Sequence, residues 1–128
     1  MTEAQNPEQA VELVSRRISD RDVEGALALY EPDAVFTPGP GQAVSGHAEI
    51  REALARFTAL DATLTGTVRK VLRSGDVALV VNAWRLEGTG PDGGEVRMSG
   101  TSADVVRRQT DGRWLVAIDD PWGGTAEA

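Results

Sequence analysis

Asp111-Gly112-Arg113-Trp114-Leu115-Val116-Ala117-Ile118-Asp119-Asp120-Pro121-Trp122 is the stretch on which the reading of this chain turns. Asp-Gly signals a turn, and five consecutive apolar residues from Trp114 to Ile118 follow it. Two carboxylates, a proline and an aromatic then end the run. A strand that is apolar on both faces must be covered on both faces. By simple alternation Asp119 continues the side of Leu115 and Ala117, so a carboxylate points where core is expected. Trp114 falls on the opposite alternation and reads as core or dimer surface. Candidate chemistry is therefore sought where this strand ends.

Upstream, Thr63 to Arg73, Val77 to Glu87 and Val96 to Arg108 are rich in β-branched residues. Ser74-Gly75-Asp76, Gly88 to Gly94 and Thr110-Asp111-Gly112 bound them, so the four runs predict long antiparallel strands joined by hairpins. Gly100 within a strand suggests a bulge or bend that curls the sheet. The N-terminal half has helical period. Asn6-Pro7-Glu8-Gln9 is a helix start, with Val11, Val14 and Ile18 at helical spacing behind it. A shorter helix begins near Asp22, carries Val23, Ala26, Leu27 and Tyr30 on one face, and is ended by Glu31-Pro32-Asp33. Ala34 to Thr37 reads as a short strand broken by the loop Pro38-Gly39-Pro40-Gly41. Ser45 or Gly46 caps a third helix with the inner stripe Ile50, Ala53, Leu54 and Phe57, ending near Leu60.

Three helices and a short strand followed by a four-stranded meander make an α+β domain. The 128 residues read as one domain, with an ordered core from about residue 6 to 122 and a frayed tail from Gly123 to Ala128. The helices can cover one sheet face only. Val77, Leu79, Val81 and Ala83 alternate with Ala78, Val80 and Trp84, so both faces are apolar. The commonest cover for the outer face is an isologous homodimer. A curled sheet with helices over its mouth encloses a pocket.

Composition removes several function classes. Twenty acidic against 13 basic residues give a net charge of -7, which repels nucleic acid and anionic membrane surfaces. With no cysteine and one histidine, His47, disulfides and thiolate or imidazole-rich metal sites are excluded, and no metal or other cofactor is expected. Met1 to Pro7 lacks the features of a secretory signal and no apolar run approaches membrane-spanning length, so the expectation is a soluble, cytoplasmic protein.

Three motifs carry a family resemblance across most of the chain: Asp22 to Tyr30 with Asp33-Ala34-Val35-Phe36, then Ser45-Gly46-His47-Ala48-Glu49-Ile50-Arg51, and Asp111-Gly112-Arg113-Trp114 with the Asp119 strand end. The chain resembles the nuclear-transport-factor-two-like, or ketosteroid-isomerase-like, superfamily. Within it, Asp104 to Arg108 and Ile118 to Trp122 look like the SnoaL-like branch found near bacterial secondary-metabolite pathways. The resemblance implies a cone-shaped domain, with three N-terminal helices packed on a strongly curved, mostly antiparallel sheet enclosing a pocket. It is weak for activity, because the fold hosts isomerases, cyclases, dehydratases and binding or association modules. It also implies that ketosteroid isomerisation by the known arrangement is absent. Thr37 and Pro38 stand where that enzyme has its base and Val14 where it has its oxyanion tyrosine. Only Asp104 has a counterpart, a proton-holding oxyanion donor.

Asp104 and Asp119 are the candidate catalytic pair. Two carboxylates in one apolar cavity repel, so one keeps its proton as an acid while the other serves as base. The alternative is that Asp104 pairs with Arg107 or Arg108 and Asp119 caps a turn. Asn82, amid apolar strand neighbours, either hydrogen-bonds a ligand carbonyl or satisfies a buried backbone group. Tyr30 offers a hydroxyl or a wall. Trp84, Phe36, Phe57 and Trp122 either line a ligand cavity or form ordinary core. His47, in the first turn of a helix, reads as structural. Arg107 and Arg108 face opposite ways, so at most one enters the cavity. Gly88 to Gly94 lacks the Lys-Ser/Thr and the helix of a phosphate loop.

These residues point to binding of a small hydrophobic molecule, which the SnoaL-like resemblance implies is polyketide-derived; if the protein is an enzyme, the chemistry expected is cofactor-free isomerisation, cyclisation or dehydration by carboxylate proton transfer. The alternative is a non-catalytic dimeric binding or assembly module supporting a partner enzyme.

Overall fold

The computed structural model of the chain describes residues 3–39 and 41–124. Pro40 and the last four residues of the expected tail lie outside them. In order, the elements are α1 (Pro7–Ser19), α2 (Val23–Leu27), β1 (Tyr30–Phe36), β2 (Val44–Ser45), α3 (Gly46–Thr58), β3 (Asp61–Ser74), β4 (Val77–Thr89), β5 (Glu95–Arg108) and β6 (Trp114–Asp120). One sheet runs β2-β1-β6-β5-β4-β3, antiparallel except where β1 lies parallel to β6. The sheet is curved and unclosed, and the helices pack on one face of it in the cone of the nuclear-transport-factor-two-like fold.

Local chemistry starts the helices. Asn6 Oδ1 accepts the Gln9 N–H at 3.0 Å, and Pro7 begins α1 where a missing N–H costs nothing. The Gln9 side chain turns back to the Gln5 N–H (2.7 Å) rather than to the cap residue. At α3 the Ser45 side chain makes no capping bond, and Glu49 instead accepts the Ser45 N–H at 2.8 Å. Ser19, at the end of α1, exchanges hydrogen bonds with both backbone groups of Leu64 on the edge strand β3 and so pins α1 across the sheet. The largest fully buried side chains are Trp114, Tyr30, Ile50, Leu54, Leu86, Val80, Val106 and Val116.

Three expectations change and one is narrowed. Helix α2 stops at Leu27, so Tyr30 is the first residue of β1 and not the end of a helix, and Glu31-Pro32-Asp33 lie within that strand. Pro32 is tolerated because the β1–β6 pairing is irregular between Tyr30 and Val35. Second, a register shift opposite Val105 and Val106 places an extra residue in β6. This bulge reverses the alternation after Val116. Asp119 therefore shares the face of Trp114 and Val116, not that of Leu115 and Ala117. Third, of the two readings of Trp114, core or dimer surface, the first holds: it is core, 1 % exposed. Fourth, Gly100 is no bulge, since it pairs in register with Trp84. A Cβ there would lie 2.9 Å from the Trp122 ring and 3.1 Å from that of Trp84, so the glycine serves a close approach.

On the outer face, register aligns Leu72, Leu79, Val105 and Ile118 across four strands. Leu72 and Ile118 are 55 % and 42 % exposed, and Val77 beside them 38 %.

Candidate functional site

Between the inner sheet face and the helices lies a cavity of about 80 Å³, room for a few waters or a small organic group. Val11, Val14, Ser15 and Ile18 of α1 roof it, Phe57 of α3 closes one side, and the inward residues of β1, β4, β5 and β6 form its floor. Asp104, Asp119, Asn82, Tyr30, Trp84, Phe36, Phe57 and Trp122 all line this one space. The aromatics form two groups. Phe36 stands 6.3 Å from both Tyr30 and Phe57, while Trp84 meets Trp122 edge-on at 5.4 Å and donates its indole N–H to the Pro121 carbonyl at 2.6 Å.

The polar centre is built by register. Asp104 on β5 and Asp119 on β6 are direct cross-strand partners on the inner face. Asp119 Oδ2 accepts the Tyr30 hydroxyl at 2.5 Å, and Asp104 Oδ2 accepts the Ser102 hydroxyl at 2.9 Å. The Ser102 oxygen also lies 3.3 Å from the Asn82 main-chain carbonyl. Asp104 is 4 % exposed, and its Oδ1 is a buried atom with no hydrogen-bond partner.

Burial raises the Asp104 pKa well above the usual carboxylate value, and the charge and hydrogen bond of Asp119 add to the rise. The Ser102 hydroxyl and the Asp120 amide favour the charged form less strongly. Asp119 is also raised by burial, but hydrogen bonds from Asp104 and Tyr30 act to stabilise its charge. Of the two, Asp104 therefore keeps its proton to higher pH, while Asp119, its charge supported by hydrogen bonds, ionises first. The Tyr30 phenol is pushed up by burial and by the same charge, so it stays a donor.

Other candidates lie elsewhere. His47 Nε2 donates to the Tyr30 carbonyl at 2.9 Å, tying α3 to β1, and does not reach the cavity. Neither arginine pairs with Asp104: Arg107 binds Glu31 and Arg108 binds Asp76, both outside the cavity. Asp120 leaves the pair and accepts the Thr37 hydroxyl at 2.9 Å. Ser102, which the sequence places on the same face as Asp104 but to which it gave no role, lines the site, and so does Ser15, which the sequence did not single out. The shared face of Ser102 follows from its position two residues before Asp104. Among the described residues no group of three or more His, Asp or Glu side chains could hold a metal ion, and no helix is long and apolar enough to cross a membrane.

No curated protein sequence matches the chain significantly. Solved structures share the fold at low identity. A ketosteroid isomerase-like protein from Erwinia carotovora atroseptica is 24 % identical with a TM-score of 0.77, covering 88 % of each chain. An NTF-2 like protein of unknown function from Shewanella oneidensis is 18 % identical, TM-score 0.72, covering 88 % of this chain and 92 % of that one. SalBIII, described as an epoxide hydrolase/cyclase-like enzyme in pyran ring formation in polyether salinomycin, is 18 % identical, TM-score 0.69, covering 88 % and 85 %. The family profile described as "SnoaL-like domain" matches residues 10–117, and the chain accordingly belongs to the SnoaL-like family.

Proposed function

We propose that this chain binds a small, largely apolar molecule of polyketide type in its cone and, without a cofactor, moves a proton on it in an isomerisation, cyclisation or dehydration. The observation that carries the reading is the facing pair Asp104 and Asp119, two acids that hold their protons unequally in one largely apolar cavity. In this reading Asp119, its charge supported by Tyr30, takes a proton from the ligand. The pair then holds two protons and returns one, to oxygen or to a different carbon, which leaves the protein unchanged. Asn82 would stabilise the oxygen that gains charge. SalBIII, whose description names cyclisation on the same fold, makes ring formation a natural member of this set. The protein would work in the cytoplasm.

A second reading, a binding or assembly module without turnover, is favoured by one observation: the strand end β1 carries Thr37 and Pro38, neither of which can act as a base. In both readings the apolar row on the outer sheet face would pack against a second copy.

The test is deuterium exchange beside a ketone. 1-Tetralone incubated with the protein in D2O should gain deuterium at the carbon next to its carbonyl faster than in buffer. Asp119→Asn should return the rate to background. A ketone that binds to the unmodified protein but exchanges no faster than in buffer would leave the binding module.

A further inference from the structure

Most polar side chains at the centre of the cavity are satisfied by one another. Tyr30 is bound to Asp119 and Ser102 to Asp104. The Asn82 carboxamide differs. The residue is 5 % exposed and lines the cavity, yet its amide makes no hydrogen bond with any described residue. Its amide atoms are not among the fully buried ones, so the group opens on the cavity, where a ligand oxygen can accept its N–H.

Gly66 accounts for the room this amide has. It sits on β3 two residues from Val68, the cross-strand partner of Asn82. A Cβ on Gly66 would lie 2.8 Å from both Nδ2 and Oδ1 of Asn82, so the amide occupies the space that a side chain would take. The Gly66 backbone does not adopt the left-handed conformation that calls for glycine, unlike Gly75 and Gly112. A strand glycine without that need weakens the strand, and close approach is the remaining reason for it. The charge of the cavity restricts the ligand as well. Its lining contains two acids and no Lys, Arg or His, so an anionic ligand finds repulsion and no partner.

We infer that Gly66 is a positioning residue that holds the Asn82 carboxamide free to bind the carbonyl oxygen of an uncharged, apolar ligand. The inference rests on the reading that the cone takes a small apolar molecule, but it concerns recognition and requires no turnover.

The test compares four ring compounds of one size by protein-observed NMR at pH 8: 1-tetralone, tetralin, tetralin-1-carboxylate and 1-aminotetralin. The unmodified protein should bind the ketone about fivefold to tenfold more tightly than the hydrocarbon, as one net hydrogen bond implies. It should bind the carboxylate more weakly than either. Gly66→Ala should erase the preference for ketone over hydrocarbon while tetralin affinity stays within about twofold. Asn82→Ala should do the same, and the double variant should be no worse than either single one. Should Gly66→Ala not fold, the unmodified protein and Asn82→Ala still decide. A ketone bound no better than tetralin, a carboxylate or amine bound more tightly than the ketone, or a preference that survives Asn82→Ala would each overturn the inference. So would a Gly66→Ala variant that folds and keeps the preference. Loss of deuterium exchange with the ketone preference intact would remove the proton-transfer reading alone.

Discussion

At the scale of single residues, the Asp104 and Asp119 pair links stability to pH in a determinate direction. Both carboxyls have folded pKa values raised above the ordinary aspartate value of 3.8. The native state therefore binds protons more tightly than the unfolded chain does. Stability is unaffected below the unfolded pKa, falls as pH rises from about 4 through the raised folded values, and stays reduced above them. Asp104→Asn should remove this cost, giving a protein as stable or more stable at pH 7 with a flatter dependence of Tm on pH from 4 to 8. A steeper dependence in thermal melts would contradict the assignment. Tyr30→Phe should do the opposite. It deletes the 2.5 Å donor to Asp119 and leaves a buried carboxylate short of a partner, which should cost roughly 1–3 kcal/mol in denaturant unfolding at pH 7 and less at pH 4. Asn82 and Asp104 were legible as candidates because a polar residue amid mid-strand apolar neighbours stands out. Gly66 was not, because a glycine's role in making space for a side chain on another strand leaves no mark in its own sequence context.

At the scale of elements, the strands were legible and their junctions were not. The period-2 stretches of β3, β4 and β5 announced themselves, whereas the β6 bulge depends on how that strand matches β5 and has no local signature. The consequence is large for so small an irregularity. A regular strand would turn Asp119 away from the inner face that Trp114 and Val116 share, and the extra residue turns it in. Tyr30 was placed on a helix by its spacing from Leu27, but pairing with Val116 draws it into β1. Long-range hydrogen bonds override local period where a helix has only five residues. The row Gly66, Trp84, Gly100 across three strands explains how an indole fits at the cavity wall. Gly100→Ala would set a Cβ 2.9 Å from the Trp122 ring, which lies beyond the last strand β6 and would have to shift. The expected result is a folded protein whose Tm falls by several degrees, as ~1–2 kcal/mol would produce in a domain of this size, and whose tryptophan emission moves to longer wavelength. Unchanged emission would show that Trp122 does not rest on Gly100.

For the whole molecule, the cone leaves an apolar row on its outer face. Leu72, Leu79, Val105 and Ile118 form a row across four strands, flanked by Val77. Isolated exposed apolar residues are ordinary, but a contiguous row on a sheet is a surface that association would cover. We expect a homodimer packed through this face. Leu79→Glu should give monomers in size-exclusion chromatography with light scattering, or insoluble protein. An unmodified protein that is monomeric at micromolar concentration would remove the dimer.

By itself the sequence determined the α+β class, the order of helices and strands, the inner stripes of α1 and α3, and the family resemblance. Each of these follows from residue spacing, caps and turn signals that act over a few neighbours. Only the tertiary structure decided that Asp119 faces Asp104, that Tyr30 donates to it, and that Asn82 lies free against Gly66. Those relations join residues as far as 89 positions apart, and they depend on strand register. One inserted residue inverts the face on which every later side chain of a strand stands, and the physical test of that choice, whether carboxylates and aromatics meet in one cavity, exists only after the sheet has closed over them.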